Sequence, residues 1–139
     1  MQVIVQVNYL AVLICGVVSM IFGALWYSHI VFGRIWMDEI DKSEEDLKKE
    51  LNPIKTYGLG FLFNLFIAFS LAQLLAHCGA NTIAEGIRIS FLCWFGFFIA
   101  PMLLNSLHEK KSIRLILVDS GYYLIIILFY GIILGGISA

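Results

Sequence analysis

Four long stretches of this chain are almost free of charge, and that feature constrains the fold more than any other. Val3 to Tyr27, Tyr57 to Ala76 and Ile89 to Leu107 contain no Asp, Glu, Lys or Arg, and Leu115 to Ala139 is interrupted by Asp119 alone. Each run matches the roughly 20 apolar residues a helix needs to cross the hydrocarbon layer of a bilayer. In lipid the backbone must satisfy its own hydrogen bonds, which leaves helices or a closed barrel. The runs are continuously apolar rather than alternating, which selects helices. The expected fold is all-α: one domain, a four-helix transmembrane bundle, with spans at about residues 3–28, 56–77, 86–108 and 113–137. A connection at about residues 33–55 joins the first two spans and should hold a short cytoplasmic helix.

Composition agrees. Of 139 residues, 60% are hydrophobic and 14% charged, whereas soluble domains carry about a quarter charged residues. Four spans and their connections use nearly the whole length, so no appended catalytic domain is expected. The net charge of −1 offers no basic surface for nucleic acid. No cation precedes the first run, which is far longer than a signal-peptide core, so the first span is expected to stay in the mature chain.

The cations are distributed unevenly. Arg34, Lys42, Lys48, Lys49 and Lys55 follow the first span, Lys110, Lys111 and Arg114 follow the third, and Arg88 alone lies near the second connection. By the positive-inside rule, connections one and three face the cytoplasm and both termini lie outside. In connection one, Ser43 and Asp46 have capping-box spacing before Glu44 to Leu51, and Asn52-Pro53 marks a stop. Trp36, Ile40, Leu47, Leu51 and Ile54 would share one helical face, fit to rest on lipid headgroups, if helix ran through the segment. A break at Asp41 to Ser43 would instead leave a solvated loop.

Asp119 is the residue hardest to place in lipid. It lies seven positions beyond Ser112, about 10 Å along the last helix, and should face protein or water. Tyr122 and Tyr123 share its face. Asn64, Asn105, Tyr27 and Ser28 fall in the same inner half, and Pro101 should kink the third span and free a carbonyl near that layer. Together these residues suggest a polar pocket open to the cytoplasm. Asn64 and Asn105 are equally readable as hydrogen-bond partners between helices.

Two stripes of small or polar residues point to close helix packing, within the chain or with a second copy. Asn8, Cys15, Ser19 and Gly23 form one on the first span, and Gly131 with Gly135 forms a GxxxG spacing on the last. Cys15, Cys78 and Cys93 have no close pairing and read as apolar fillers. His29, His108 and Glu109 come from helix ends without ligand spacing, so no metal site is expected. With no phosphate loop, nucleophile elbow or dinucleotide fingerprint, no cofactor is expected either.

Asn8-Tyr9-Leu10-Ala11, Gly23-Ala24-Leu25-Trp26-Tyr27-Ser28 with Phe32-Gly33 and Trp36, Pro101 to Asn105, and Ser120-Gly121-Tyr122 carry a resemblance that covers essentially the whole chain. The chain resembles domain of unknown function 1761, a family of small four-span bacterial membrane proteins. The resemblance implies a bacterial plasma-membrane location and supplies no catalytic residue. The family carries Asn in place of Asp119 and His in place of Tyr123, which implies hydrogen bonding at that site. Three functions fit the residues. One is a homo-oligomer whose inner-half pocket takes a small solute or proton. Another is a structural or accessory subunit packed against a different membrane protein. The third is a lipid-modifying enzyme using His29, His108, Glu109 or Asp119. Expected partners are membrane lipids and either a second copy or another membrane protein.

Overall fold

The computed structural model describes residues 5–28 and 30–137. Four of its helices are long and apolar enough to cross a membrane: Tyr9–Trp26, Pro53–His77, Ile83–Glu109 and Ile113–Ile137. Their ends follow from local chemistry. Asn8 begins the first span by accepting from the Ala11 amide at 3.1 Å, so the helix proper starts at Tyr9. Asn52 accepts from the Ile54 and Lys55 amides with Pro53 in the first turn, so the second span begins before the residue 56 expected from its apolar run. Thr82 caps the third span through the Glu85 amide at 3.2 Å, and Lys110 ends it in the left-handed region at φ 56°.

Connection one is more ordered than expected, with two short helices, Gly33–Ile40 and Glu44–Glu50. Asp41 separates them at φ 56°, so the apolar positions from Trp36 to Ile54 do not lie on one continuous helix. The capping box forms: Asp46 receives the Ser43 amide at 3.0 Å, and Ser43 Oγ accepts from the Asp46 amide at 3.2 Å. These bonds hold the Asp46 carboxyl below its ordinary range. A group with a depressed folded value stabilises the helix above its unfolded value and loses that effect as pH falls through the folded one. Protection of the Glu44–Glu50 amides, taken relative to their intrinsic exchange rate at each pH, should therefore fall below the ordinary carboxylate range in wild type. In Asp46→Asn protection should be lower already at neutral pH, and identical protection in the two proteins would refute the cap's role.

The bundle core is built by spans one, two and four, with Ala11, Cys15, Ala68, Leu75, Ile126 and Tyr130 at its centre. The third span is peripheral, with 6% of its apolar window buried against 39% for the fourth. It adheres to the fourth where glycine allows backbone contact. A Cβ on Gly135 would stand 2.5 Å from the Thr82 carbonyl oxygen, and one on Gly131 would stand 2.5 Å from that of Gly86. The GxxxG stripe is therefore filled by the chain's own third span. Span one's stripe is also used internally: Cys15 and Ser19 are fully buried, and Gly23 faces the Tyr122 ring.

Pro101 disturbs the third span in a particular way. Phe95–Ile99 is a π-helical turn immediately before it. The proline has no amide to donate and its ring crowds the carbonyl four residues back, so the helix widens there. Between the second and third spans lies an apolar cleft of about 360 Å³ lined by Phe66, Leu74, Phe97 and Phe98 among others.

Candidate functional site

The site is assembled where the first span ends. After Trp26 the chain turns back sharply, with the Phe32 amide donating to the Trp26 carbonyl at 3.0 Å and the Gly33 amide to the Ser28 carbonyl at 2.8 Å. Gly33 is buried against the Tyr27 and Ser28 carbonyls, and a Cβ there would lie 2.6 Å from the Ser28 oxygen. The turn aims two side chains at the last span. Trp26 Nε1 donates to the Val118 carbonyl at 2.9 Å, and Tyr27 Oη donates to Asp119 Oδ1 at 2.6 Å.

Asp119 is half-buried. Among the described residues it forms no ion pair, and the Tyr27 hydroxyl is its one hydrogen-bond donor. A chain of rings runs beside it. Trp36 meets Tyr27 edge-on with centroids 5.2 Å apart, Tyr27 lies 5.7 Å from Tyr122, Tyr122 lies 5.4 Å from Tyr123, and Tyr123 lies 5.3 Å from Phe98. The connection helix thus touches the site through Trp36. It is fastened by Glu39, which accepts from Ser112 Oγ at 2.5 Å and lies 3.5 Å from Arg114 Nε.

From this group a polar path continues into the bundle. Tyr122 Oη donates to the Ser19 carbonyl at 2.9 Å, and Tyr130 Oη reaches Asn64 Oδ1 at 3.4 Å. Asn64 also donates to the Gly60 carbonyl at 2.9 Å. Tyr130 is eleven residues beyond Asp119, roughly 16 Å along the helix, so Asn64 serves the middle of the path rather than the carboxylate.

The structure therefore brings Asp119, Tyr27, Tyr122 and Tyr123 together and joins Asn64 to them through the tyrosines. Two expected members stand apart. Asn105 is exposed on the third span, because the π turn adds a residue to the helical repeat and shifts the following faces by roughly a quarter turn. Ser28 Oγ is spent on the Leu25 carbonyl at 2.6 Å. Asn8 likewise leaves the packing stripe to act as an exposed helix cap.

Three participants were missed by sequence reasoning. Trp26 and Trp94 donate to carbonyls of the fourth span, Trp26 to Val118 at 2.9 Å and Trp94 to Ser120 at 2.7 Å. Glu39 carried no signal beyond its charge. Cys15, Ser19, Gly23, Gly131 and Gly135 all lie at contacts inside the chain. Among the described residues no group of three or more His, Cys, Asp or Glu is arranged to hold a metal ion. His29 lies outside the described residues, and His108 and Glu109 are exposed at the end of the third span.

The model of a family described as protein of unknown function, DUF1761, matches residues 10–135. The chain belongs to the DUF1761 family. No curated protein matches it, and no solved structure does. This DUF1761 chain uses its Trp26-Tyr27-Ser28 and Phe32-Gly33 residues to build the turn and tie it to the last span.

Proposed function

We propose that this chain takes up a proton or a small solute at Asp119, from the side of the membrane that carries connection one. The supporting observation is a half-buried carboxylate inside a span, held by Tyr27 at 2.6 Å and without an ion pair among the described residues. An ionisable group in a span is costly unless it serves a pathway or finds a partner. The tyrosines beyond it extend a polar route towards the middle of the bundle. The excess of cations in connections one and three supports a cytoplasmic opening.

The test is flux. Proteoliposomes carrying the wild-type chain and a trapped pH-sensitive dye should dissipate an imposed proton gradient faster than empty vesicles. Asp119→Asn should fall to the empty-vesicle rate while keeping its fold. Asparagine still accepts the Tyr27 hydrogen bond and is what the resemblance places at this position. Equal rates for the two proteins would sink the reading.

A second reading, an accessory subunit or homo-oligomer, rests on the third span. Because both small-residue stripes are used inside the chain, association would run through this sparsely buried helix, where Phe91, Leu92, Phe95 and Phe97 are exposed. A stable complex with another membrane protein, lost on substituting those residues, would favour it.

A further inference from the structure

A cavity lies at the other end of the bundle, and its meaning rests on the reading of Asp119 as a group that takes up protons. Connection one joins the end of the first span to the start of the second, so the start of the first span and the ends of the second and fourth share the opposite end. There the structure holds a cavity of about 320 Å³ lined by Gln6, Asn8, Ala11, Ala72, Ala76 and Leu134 among others. Its wall is held in place. Gln73, buried in the second span, accepts from the Val5 amide at 2.7 Å through Oε1 and donates to the Val5 carbonyl at 2.8 Å through Nε2. These two bonds tie down the segment that carries Gln6 and Asn8. A cavity of this size has room for several waters, and the exposed amides of Gln6 and Asn8 offer them hydrogen bonds. None of the described residues lining it is charged, which suits water and protons rather than an ionic solute.

The cavity stops one helical turn short of the polar path. On the fourth span Leu134 lines the cavity and Tyr130 stands four residues earlier, about 6 Å along the helix. On the second span Asn64, Ala68, Ala72 and Ala76 follow at four-residue intervals, from the partner of Tyr130 to the cavity wall. On the first span Ser19, Cys15 and Ala11 repeat that spacing. The residues that separate path from cavity on these two rows, Ala68 and Cys15, are small and fully buried.

We propose that this cavity is the far entrance of the proton path that begins at Asp119, with Ala68 and Cys15 forming a thin barrier between the two. Water in the cavity exchanges protons with the Tyr130–Asn64 pair when the barrier is briefly hydrated, and the path then runs from one end of the bundle to the other.

The test uses the full-length chain carrying Cys78→Ser and Cys93→Ser, which leaves the buried Cys15 as its one native thiol. In mild detergent, Ala72→Cys at the cavity floor and Ala68→Cys one turn deeper are treated with a small charged methanethiosulfonate, which reacts with thiolates that water reaches. Ala72→Cys should react, whereas Ala68→Cys and Cys15 should not. An unreactive Ala72→Cys, or an Ala68→Cys that reacts as fast, would overturn the proposal. Ala76→Cys, at the exposed mouth, is then modified with a bulky charged reagent and reconstituted for the proton-flux measurement. Unmodified, it should match the background chain, and modified, it should fall to the empty-vesicle rate. The same reagent on Gly96→Cys, at an open position of the third span, should leave flux unchanged, and melting curves check that each protein is folded. Flux that needs Asp119 yet survives modification at residue 76 would mean that protons leave by another way, which overturns the entrance and leaves the reading of Asp119 standing. Flux that is the same with Asp119→Asn would overturn both.

Discussion

Gly131→Leu is expected to separate the third span from the fourth and to destabilise the bundle strongly. At the crossing, a Cβ on Gly131 would meet the Gly86 carbonyl oxygen at 2.5 Å, and one on Gly135 would meet the Thr82 oxygen at the same distance. Backbone atoms cannot swing aside as a flexible side chain can. The helices must move apart, and the loss extends beyond the glycine. Ser90, whose buried hydroxyl has no hydrogen-bond partner among the described residues, is pressed against Gly131, and the Trp94 indole donates to the Ser120 carbonyl at 2.7 Å. Overpacking alone costs about 1–3 kcal/mol. Losing the indole bond adds about 1 kcal/mol. Unfolding by sodium dodecyl sulfate in mixed micelles should show a loss of at least about 2 kcal/mol for Gly131→Leu. Gly96→Leu, at an open position on the same pair of helices, should change little. Equal stability of wild type and Gly131→Leu would show that the close crossing is not what holds the third span.

The dependence of the third span on a single crossing explains which parts of the molecule were legible in the sequence. Charge-free runs located four spans because the bilayer penalises charge along the whole helix, whatever its partner. The Gly131–Gly135 spacing announced a close approach but not its partner, since Thr82, Gly86 and Ser90 are individually unremarkable. Their four-residue spacing was the available signal. Asp119 and Tyr27 were legible as neighbours because span directions fix depth, and depth was enough to bring a helix end beside the second turn of another helix. Asn105 was placed by the same depth argument and faces away, because depth fixes height and not rotation. A π turn changes rotation without changing the apolar pattern that marks a span.

The membrane also sets a limit on what burial means for this chain. The exposed aliphatic and aromatic residues of the third span would be an aggregation surface in water, whereas in lipid they need no cover. The polar groups obey the opposite rule. Tyr27, Tyr122, Tyr130, Asn64, Trp26 and Trp94 each spend their polar atoms inside the chain. Asp119 keeps capacity to spare, which is why the functional reading concentrates there.

The second large effect is expected at Gly33, the residue that lets the chain double back beneath the first span. A Cβ at this position would stand 2.6 Å from the Ser28 carbonyl oxygen and press on that of Tyr27. Gly33→Val therefore forces the Gly33–Ile40 helix off its seat. The connection helix and Tyr27 share one turn, so displacement should loosen Tyr27 from Asp119, Trp36 from the Tyr27 ring, and Glu39 from Ser112 and Arg114 together. Hydrogen exchange measured peptide by peptide should accelerate at least about tenfold across residues 30–40 in Gly33→Val, a local opening made easier by about 1.4 kcal/mol. The core of the first span around Cys15 and Ser19 should stay protected, because its packing against the second and fourth spans does not pass through the turn. Uniform acceleration over both regions would mean that the turn holds up the whole bundle. Unchanged exchange would mean that the connection helix sits on the site without being anchored by Gly33. The local outcome would instead make this segment, one of those that carry the family resemblance, the device that seats a tyrosine against an intramembrane carboxylate.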